Sequence, residues 1–149
     1  CSATYPEITF RVMDAQQLSF DDCAFDAVLN VESSHRYPDF GRFVSEAYRV
    51  LRPGGYFLYA DFRFTNYITT VYETFSDAGF VTERAEVINE QVMRALTDDG
   101  ARRVELIQRY LPRLFHGAAL EFAGTPGTSL YRSFERGKRQ YVCMALRKP

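Results

Sequence analysis

His35 and Asp61 are the side chains of this sequence best suited to moving a proton. His35 lies in a polar loop, Glu32 to Asp39, that follows the apolar run Phe25–Val31. Asp61 directly follows a second apolar run, Tyr56–Ala60. An imidazole can take a proton from a hydroxyl, and an alcohol is a poor nucleophile until that proton leaves. A carboxylate beside the ring would orient it and stabilise its charged form. The plain alternative is a surface histidine and a helix-capping aspartate. Asp14-Ala15 and Asn30-Val31 also close apolar segments, and ligands gather at the carboxyl ends of strands in open α/β sheets. For these two pairs the alternatives are an Asx turn and an ordinary strand end. Tyr37, Phe62, Phe64 and Tyr67 could line an apolar acceptor pocket, although each also suits core or rim packing. His116, beside Gly117, reads as a helix C-terminal cap interaction, and Arg102-Arg103 as a solvated face.

The elements that must position these groups are legible in the pattern. Ile8–Met13 alternates and is rich in β-formers, so it reads as a strand. Phe25–Val31 is nearly continuous in apolar residues, which suits a strand buried on both faces of a parallel sheet. Asp39 or Phe40 opens a helix whose stripe is Phe43, Ala47, Val50 and Leu51. Arg52-Pro53-Gly54-Gly55 stops it, and Tyr56–Ala60 is the next strand. Strand, helix, strand within about 35 residues is a βαβ unit, which makes the sheet parallel there. His35 and Asp61 then emerge on one sheet edge. A helix over 68–78 stops at Gly79, and a strand follows over 80–88. A long helical stretch, 90–114, is open to a break at Gly100. Residues 124–128 form a loop, 130–136 a helical turn, and 140–146 a final strand.

Composition excludes several classes. The chain has 149 residues, enough for one compact domain. A net charge of -1 argues against general nucleic-acid binding, which needs a basic stripe. No apolar run approaches the ~20 residues of a membrane span. The first six residues have neither the basic nor the apolar region of a signal peptide. Cys1, Cys23 and Cys143 form no CxxC pair and are odd in number, so neither a disulfide framework nor a zinc site is expected. That usage fits a reducing cytoplasm. Phe and Tyr are abundant, at 13 and 10 residues, with no Trp.

Phe25-Asp26-Ala27-Val28, Asn30-Val31-Glu32-Ser33-Ser34-His35 and Arg49-Val50-Leu51-Arg52-Pro53-Gly54-Gly55 together resemble the middle of class I S-adenosylmethionine-dependent methyltransferases. The last of these motifs is the most specific. Tyr59-Ala60-Asp61-Phe62-Arg63 and Gly124-Thr125-Pro126-Gly127 look like the mycobacterial phthiotriol/phenolphthiotriol dimycocerosates methyltransferases, within a group that O-methylates lipids or glycosides. The resemblance implies an α/β fold, a partial Rossmann-like sheet made of strands 3 to 7 of a 3-2-1-4-5-7-6 order. The first two βα units, with their glycine-rich cofactor loop, are absent. Residues 1–149 would then be the C-terminal portion of a single methyltransferase domain.

The resemblance further implies S-adenosylmethionine as cofactor, with Asp14 and Ala15 near its adenine and Asn30 and Val31 beside its methionine part. It matches His35 and Asp61 to the His and Asp of related sugar O-methyltransferases. The leading expectation is an O-methyltransferase acting on a hydroxyl of a lipid, glycolipid or other hydrophobic small-molecule acceptor, with no metal. The rival is a catalytically silent, truncated chain acting as an association module. N- or C-methylation stays open, and an NAD or nucleotide-sugar enzyme is disfavoured by the motifs. With two strands missing, the strand through Val31 is expected to be an exposed edge. It would recruit a second copy of the chain or an N-terminal fragment.

Overall fold

The computed structural model describes residues 4–149. Cys1 therefore lies outside the described residues, while Cys23 and Cys143 are free thiols. Four strands, β1 (Phe25–Val31), β2 (Leu51–Phe64), β3 (Val81–Val87) and β4 (Arg139–Arg147), form one sheet in the order β1-β2-β4-β3. β1 and β2 are parallel, with Leu29 opposite Leu58 and Val31 opposite Ala60. β4 inserts antiparallel between β2 and β3. The expected strand over 8–13 does not form; that segment makes only an isolated bridge between Asp14 and Gln17. No described strand lies beside that segment. A strand without a partner has nowhere to send its backbone hydrogen bonds.

The βαβ unit is built by α1 (Phe40–Val50). Asp39 caps it, its Oδ1 accepting from the Arg42 N–H at 2.9 Å. Its buried stripe is Phe40, Phe43, Val44, Ala47 and Val50, which packs on the sheet. The motif that follows has a mechanical explanation. Arg49 reaches the carbonyls of Leu18 and Phe20 and pairs with Glu46, while Glu46 accepts from the Leu18 N–H. These bonds strap the segment before β1 onto α1. Gly54 takes a left-handed φ of +78°. A Cβ on Gly55 would sit 2.9 Å from the carbonyl oxygens of both Arg52 and Asp26, so only glycine fits between the two strands.

Along β2 the side chains alternate. Phe57 and Tyr59 enter the core with Val142, Met144 and Leu146 of β4, under α1 and α2 (Ile68–Asp77), which contributes Val71 and Phe75. α2 ends where Gly79 adopts φ +97°. The other face differs from the expectation that β1 is buried on both sides. Leu29 is 71% exposed and Val31 55%, and Tyr56 and Leu58 of β2 are also exposed there. None of the described residues packs over that part of the face. In a doubly wound sheet such cover comes from helices of further βα units.

The two sheet edges are treated differently by the sequence. β3 carries Glu83, Arg84 and Glu86, charges that discourage strand addition. β1 carries one charge, Asp26, already paired with Arg52, and presents Leu29 and Val31 bare further along. The chain is therefore expected to sediment as a species larger than one copy, while Leu29→Lys combined with Val31→Glu shifts it to a monomer. A monomeric mass for the unsubstituted folded chain would contradict this reading of β1.

The remaining helices cover the carboxyl end of β2. They are α3 (Asn89–Asp98), α4 (Gly100–Tyr110), α5 (His116–Phe122) and α6 (Ser129–Glu135). The long helical stretch does break, at Asp99-Gly100. His116 starts α5 rather than ending a helix, and its Nε2 lies 2.8 Å from the Leu111 carbonyl. Polar ties fix the group to the sheet and to itself. The Asn89 amide donates to the Arg139 carbonyl and accepts from the Tyr141 N–H. The Glu121 carboxylate accepts from the N–H groups of Ser129 and Leu130 at the start of α6. No described helix is long and apolar enough to cross a membrane.

Candidate functional site

β1 ends at Val31, and Glu32 turns the chain with a φ of +48°, an uncommon conformation for a residue with a Cβ. A single 3-10 turn, Ser34–Arg36, follows. It sets Ser34 and His35 against Asp61, which β2 carries on its buried face. The Asp61 carboxylate is fully buried. Its Oδ2 accepts from Ser34 Oγ at 2.7 Å and from the His35 N–H at 3.1 Å, with Arg63 Nη1 at 3.4 Å. Its Oδ1 accepts from the Phe62 N–H at 2.8 Å and lies 2.7 Å from His35 Nδ1. Arg63 Nη2 also donates to Ser34 Oγ at 2.9 Å.

Burial pushes the Asp61 carboxyl up. The hydrogen bonds from Ser34, His35 and the Phe62 N–H, with the Arg63 charge, outweigh it and hold the pKa below its ordinary value. Asp61 is therefore ionised and can only accept. His35 Nδ1 must carry the proton between them, which leaves Nε2 of the neutral ring unprotonated. The ring lies against Phe62, with centroids 4.5 Å apart, and its side chain is 18% exposed. A base held in one tautomer and one orientation, but reachable, is what this arrangement supplies.

His35 opens on a cleft of about 1480 Å³ between the end of β2 and helices α3–α6. Its apolar lining includes Phe62, Leu96, Phe122, Leu130 and Phe134. Tyr37 and Phe64 also line it, whereas Tyr67 lies outside and is an exposed surface residue. The cleft is larger than a typical small-ligand pocket, which suits an extended acceptor.

The other candidates are spread along the sheet edge. Asn30 is almost fully buried at the end of β1. Its Oδ1 accepts from Ser33 Oγ at 2.6 Å, while its Nδ2 has no partner among the described residues. An unpaired buried amide calls for a missing acceptor, and a cofactor with carboxylate or carbonyl oxygens fits that need. Val31 is exposed beside it. Asp14 is exposed and accepts from the Gln16 N–H at 2.9 Å, an Asx turn that lowers its pKa. Ala15 is half-buried against the core. Among the described residues no hydrogen bond links Asp14 or Ala15 to the His35–Asp61 pair. No three His, Cys, Asp or Glu side chains are grouped to hold a metal ion among the described residues.

Three cleft residues escape a reading of the sequence. Tyr141 Oη donates to Glu32 at 3.0 Å, and burial followed by that carboxylate raises its pKa, so it stays protonated. Arg139 lies over Phe64, with Cζ 4.2 Å from the ring centroid. Tyr141 and Glu32 are 109 positions apart, and only the insertion of β4 beside β2 brings them together. No local pattern carries that information.

By fold and by sequence the chain is a relative of S-adenosylmethionine-dependent methyltransferases. Residues 2–59 match a family model described as a methyltransferase domain. The chain is 42% identical over 136 residues to the phthiotriol/phenolphthiotriol dimycocerosates methyltransferase of Mycobacterium tuberculosis (strain H37Rv), an alignment covering 91% of this chain and 50% of the relative. It is 37% identical over 136 residues to the fatty-acid O-methyltransferase of Mycolicibacterium smegmatis, covering 91% and 49%. The chain thus spans about half the length of the curated relatives it matches. Among solved structures, a putative sarcosine dimethylglycine methyltransferase from Galdieria sulphuraria superposes with a TM-score of 0.81 at 14% identity, over 99% of this chain and 64% of the other. Haemonchus contortus phosphoethanolamine N-methyltransferase 2, in complex with S-adenosyl-L-methionine, gives 0.75 at 16% identity, over 91% and 36%.

Proposed function

We propose that this chain forms the acceptor-binding and proton-handling part of an S-adenosylmethionine-dependent O-methyltransferase whose acceptor is a hydroxyl on a lipid, glycolipid or similar hydrophobic molecule. The observation that carries this reading is the His35–Asp61 pair at the wall of a large, mostly apolar cleft. The names of the relatives, which refer to phthiotriol lipids and fatty acids, support a lipid acceptor. The cofactor, when bound, supplies a methyl already activated by its sulfonium. Asn30 offers its free amide to it at the end of β1, with Val31 beside; Asp14 and Ala15 would meet the adenine.

The residues of this chain then do the rest. The cleft takes the apolar body of the acceptor and excludes water. His35 Nε2 accepts the hydroxyl proton as the oxygen attacks. Asp61 holds the ring and stabilises the imidazolium that forms. Incubating the full-length protein with S-adenosylmethionine and long-chain alcohols, followed by mass spectrometry, tests this. A methyl ether is expected, and methylation confined to amines would refute it.

The bare edge of β1 favours a second reading, in which the 149-residue chain is silent by itself and acts by association. Calorimetric titration of this chain with S-adenosylmethionine separates the two. Heat of binding supports the cofactor roles above, and none from a folded chain supports association.

A further inference from the structure

We propose that Arg139 is an anion-binding subsite in the cleft, so that the acceptor is a carboxylate-bearing amphiphile rather than a neutral lipid. This rests on the cleft being the acceptor site. The charged residues of the cleft divide cleanly. Its acids are all engaged: Glu32 by Tyr141, Asp99 by Arg102 and Arg103, and Glu121 by the start of α6. Arg139 is not. Its Nε is buried and has no hydrogen-bond partner among the described residues, and no acid pairs with it.

Arg139 is half-buried, and its Nε is costly to leave without a partner, because a buried donor without an acceptor loses its solvation and gains nothing. Burial also lowers its pKa, the direction expected for a cation lacking a counter-charge. The guanidinium is nonetheless held in place. Its Cζ lies 4.2 Å from the centroid of Phe64 and 5.3 Å from that of Phe62. Aromatic contact of this kind fixes the guanidinium and leaves its N–H groups for a carboxylate, which an arginine can grip with two parallel bonds. His35 lies on the same Phe62 ring, at 4.5 Å. The base and the unpaired cation therefore serve one end of an acceptor, with the apolar cleft left for its chain. Arg36 and Lys138, also in the cleft and without an acidic partner among the described residues, add positive potential there.

The test is binding of 3-hydroxydodecanoate and of 1,3-dodecanediol to the full-length protein by calorimetry, with and without Arg139→Gln. The acid is expected to bind at least 10-fold tighter than the diol. R139Q should abolish that preference by weakening the acid far more than the diol. Equal affinities in the unsubstituted protein overturn the subsite, as does a variant that weakens both ligands alike. Because the readout is binding, it fails independently of the methyl-transfer reading: ether formation from the diol without acid preference removes the subsite alone. Acid preference without any methylation removes the enzymatic reading alone. With the acid as substrate, a base-labile methyl ester would mark the carboxylate on Arg139 as the methylated group, and a base-stable ether would mark it as the anchor.

Discussion

Replacing His35 by Gln is expected to slow methyl transfer in the full-length protein by about 10²- to 10⁴-fold near neutral pH, with little change in KM. The reason lies in which nitrogen is free. Asp61 is ionised, so the proton between it and Nδ1, 2.7 Å apart, belongs to the ring. Nε2 is then the acceptor, and the Phe62 ring at 4.5 Å together with the His35 N–H bond to Asp61 keeps it from rotating away. A glutamine fills similar space but offers no group able to take the alcohol proton. Acceptor affinity comes from the apolar cleft, which the substitution leaves alone. Steady-state kinetics on both proteins check the rate and the KM. A variant with the original rate would show that His35 is a surface histidine.

How the pair could be read from the sequence is itself physical. Two parallel strands joined by one helix must end on the same edge, so residues just past Val31 and just past Ala60 are neighbours whatever the side chains do. The same logic made α1 legible, because its stripe, its Asp39 cap and the stop before Gly54 are all local. β4 was likewise plain from alternation. Failures arose where the partner was not local. The 8–13 segment has a strand's composition but no strand beside it. β1 has the composition of a strand covered on both faces, yet Leu29 lies bare. The cleft needs four short helices folded over the end of β2, and α5 has too weak a pattern to be seen alone. Arg139 is invisible for another reason. Nothing in a sequence distinguishes an arginine that has found an acid from one that has not.

Asp61→Asn is expected to destabilise the fold by about 3–5 kcal/mol at neutral pH, the range for removing one partner of a buried ion pair. Its carboxylate accepts from Ser34, His35 and the Phe62 N–H and faces Arg63, itself buried. Asparagine keeps one acceptor oxygen but places an amide where an acceptor is needed, and it leaves Arg63 without a counter-charge. If that amide faces Nδ1, it also forces the ring proton onto Nε2 and disables the base. The pH dependence follows from the sign of the shift. The folded-state pKa of Asp61 lies below its ordinary 3.8. The stabilisation is therefore complete above that ordinary value and is lost as pH falls through the lower, folded-state value. The variant has no such group, so its stability should be flatter in acid and the two proteins should converge there. Urea unfolding at neutral pH and through the acid range measures this. A gap between the two proteins that persists undiminished through the full acid transition would mean that the Asp61 charge is not what holds Ser34, His35 and Arg63 together.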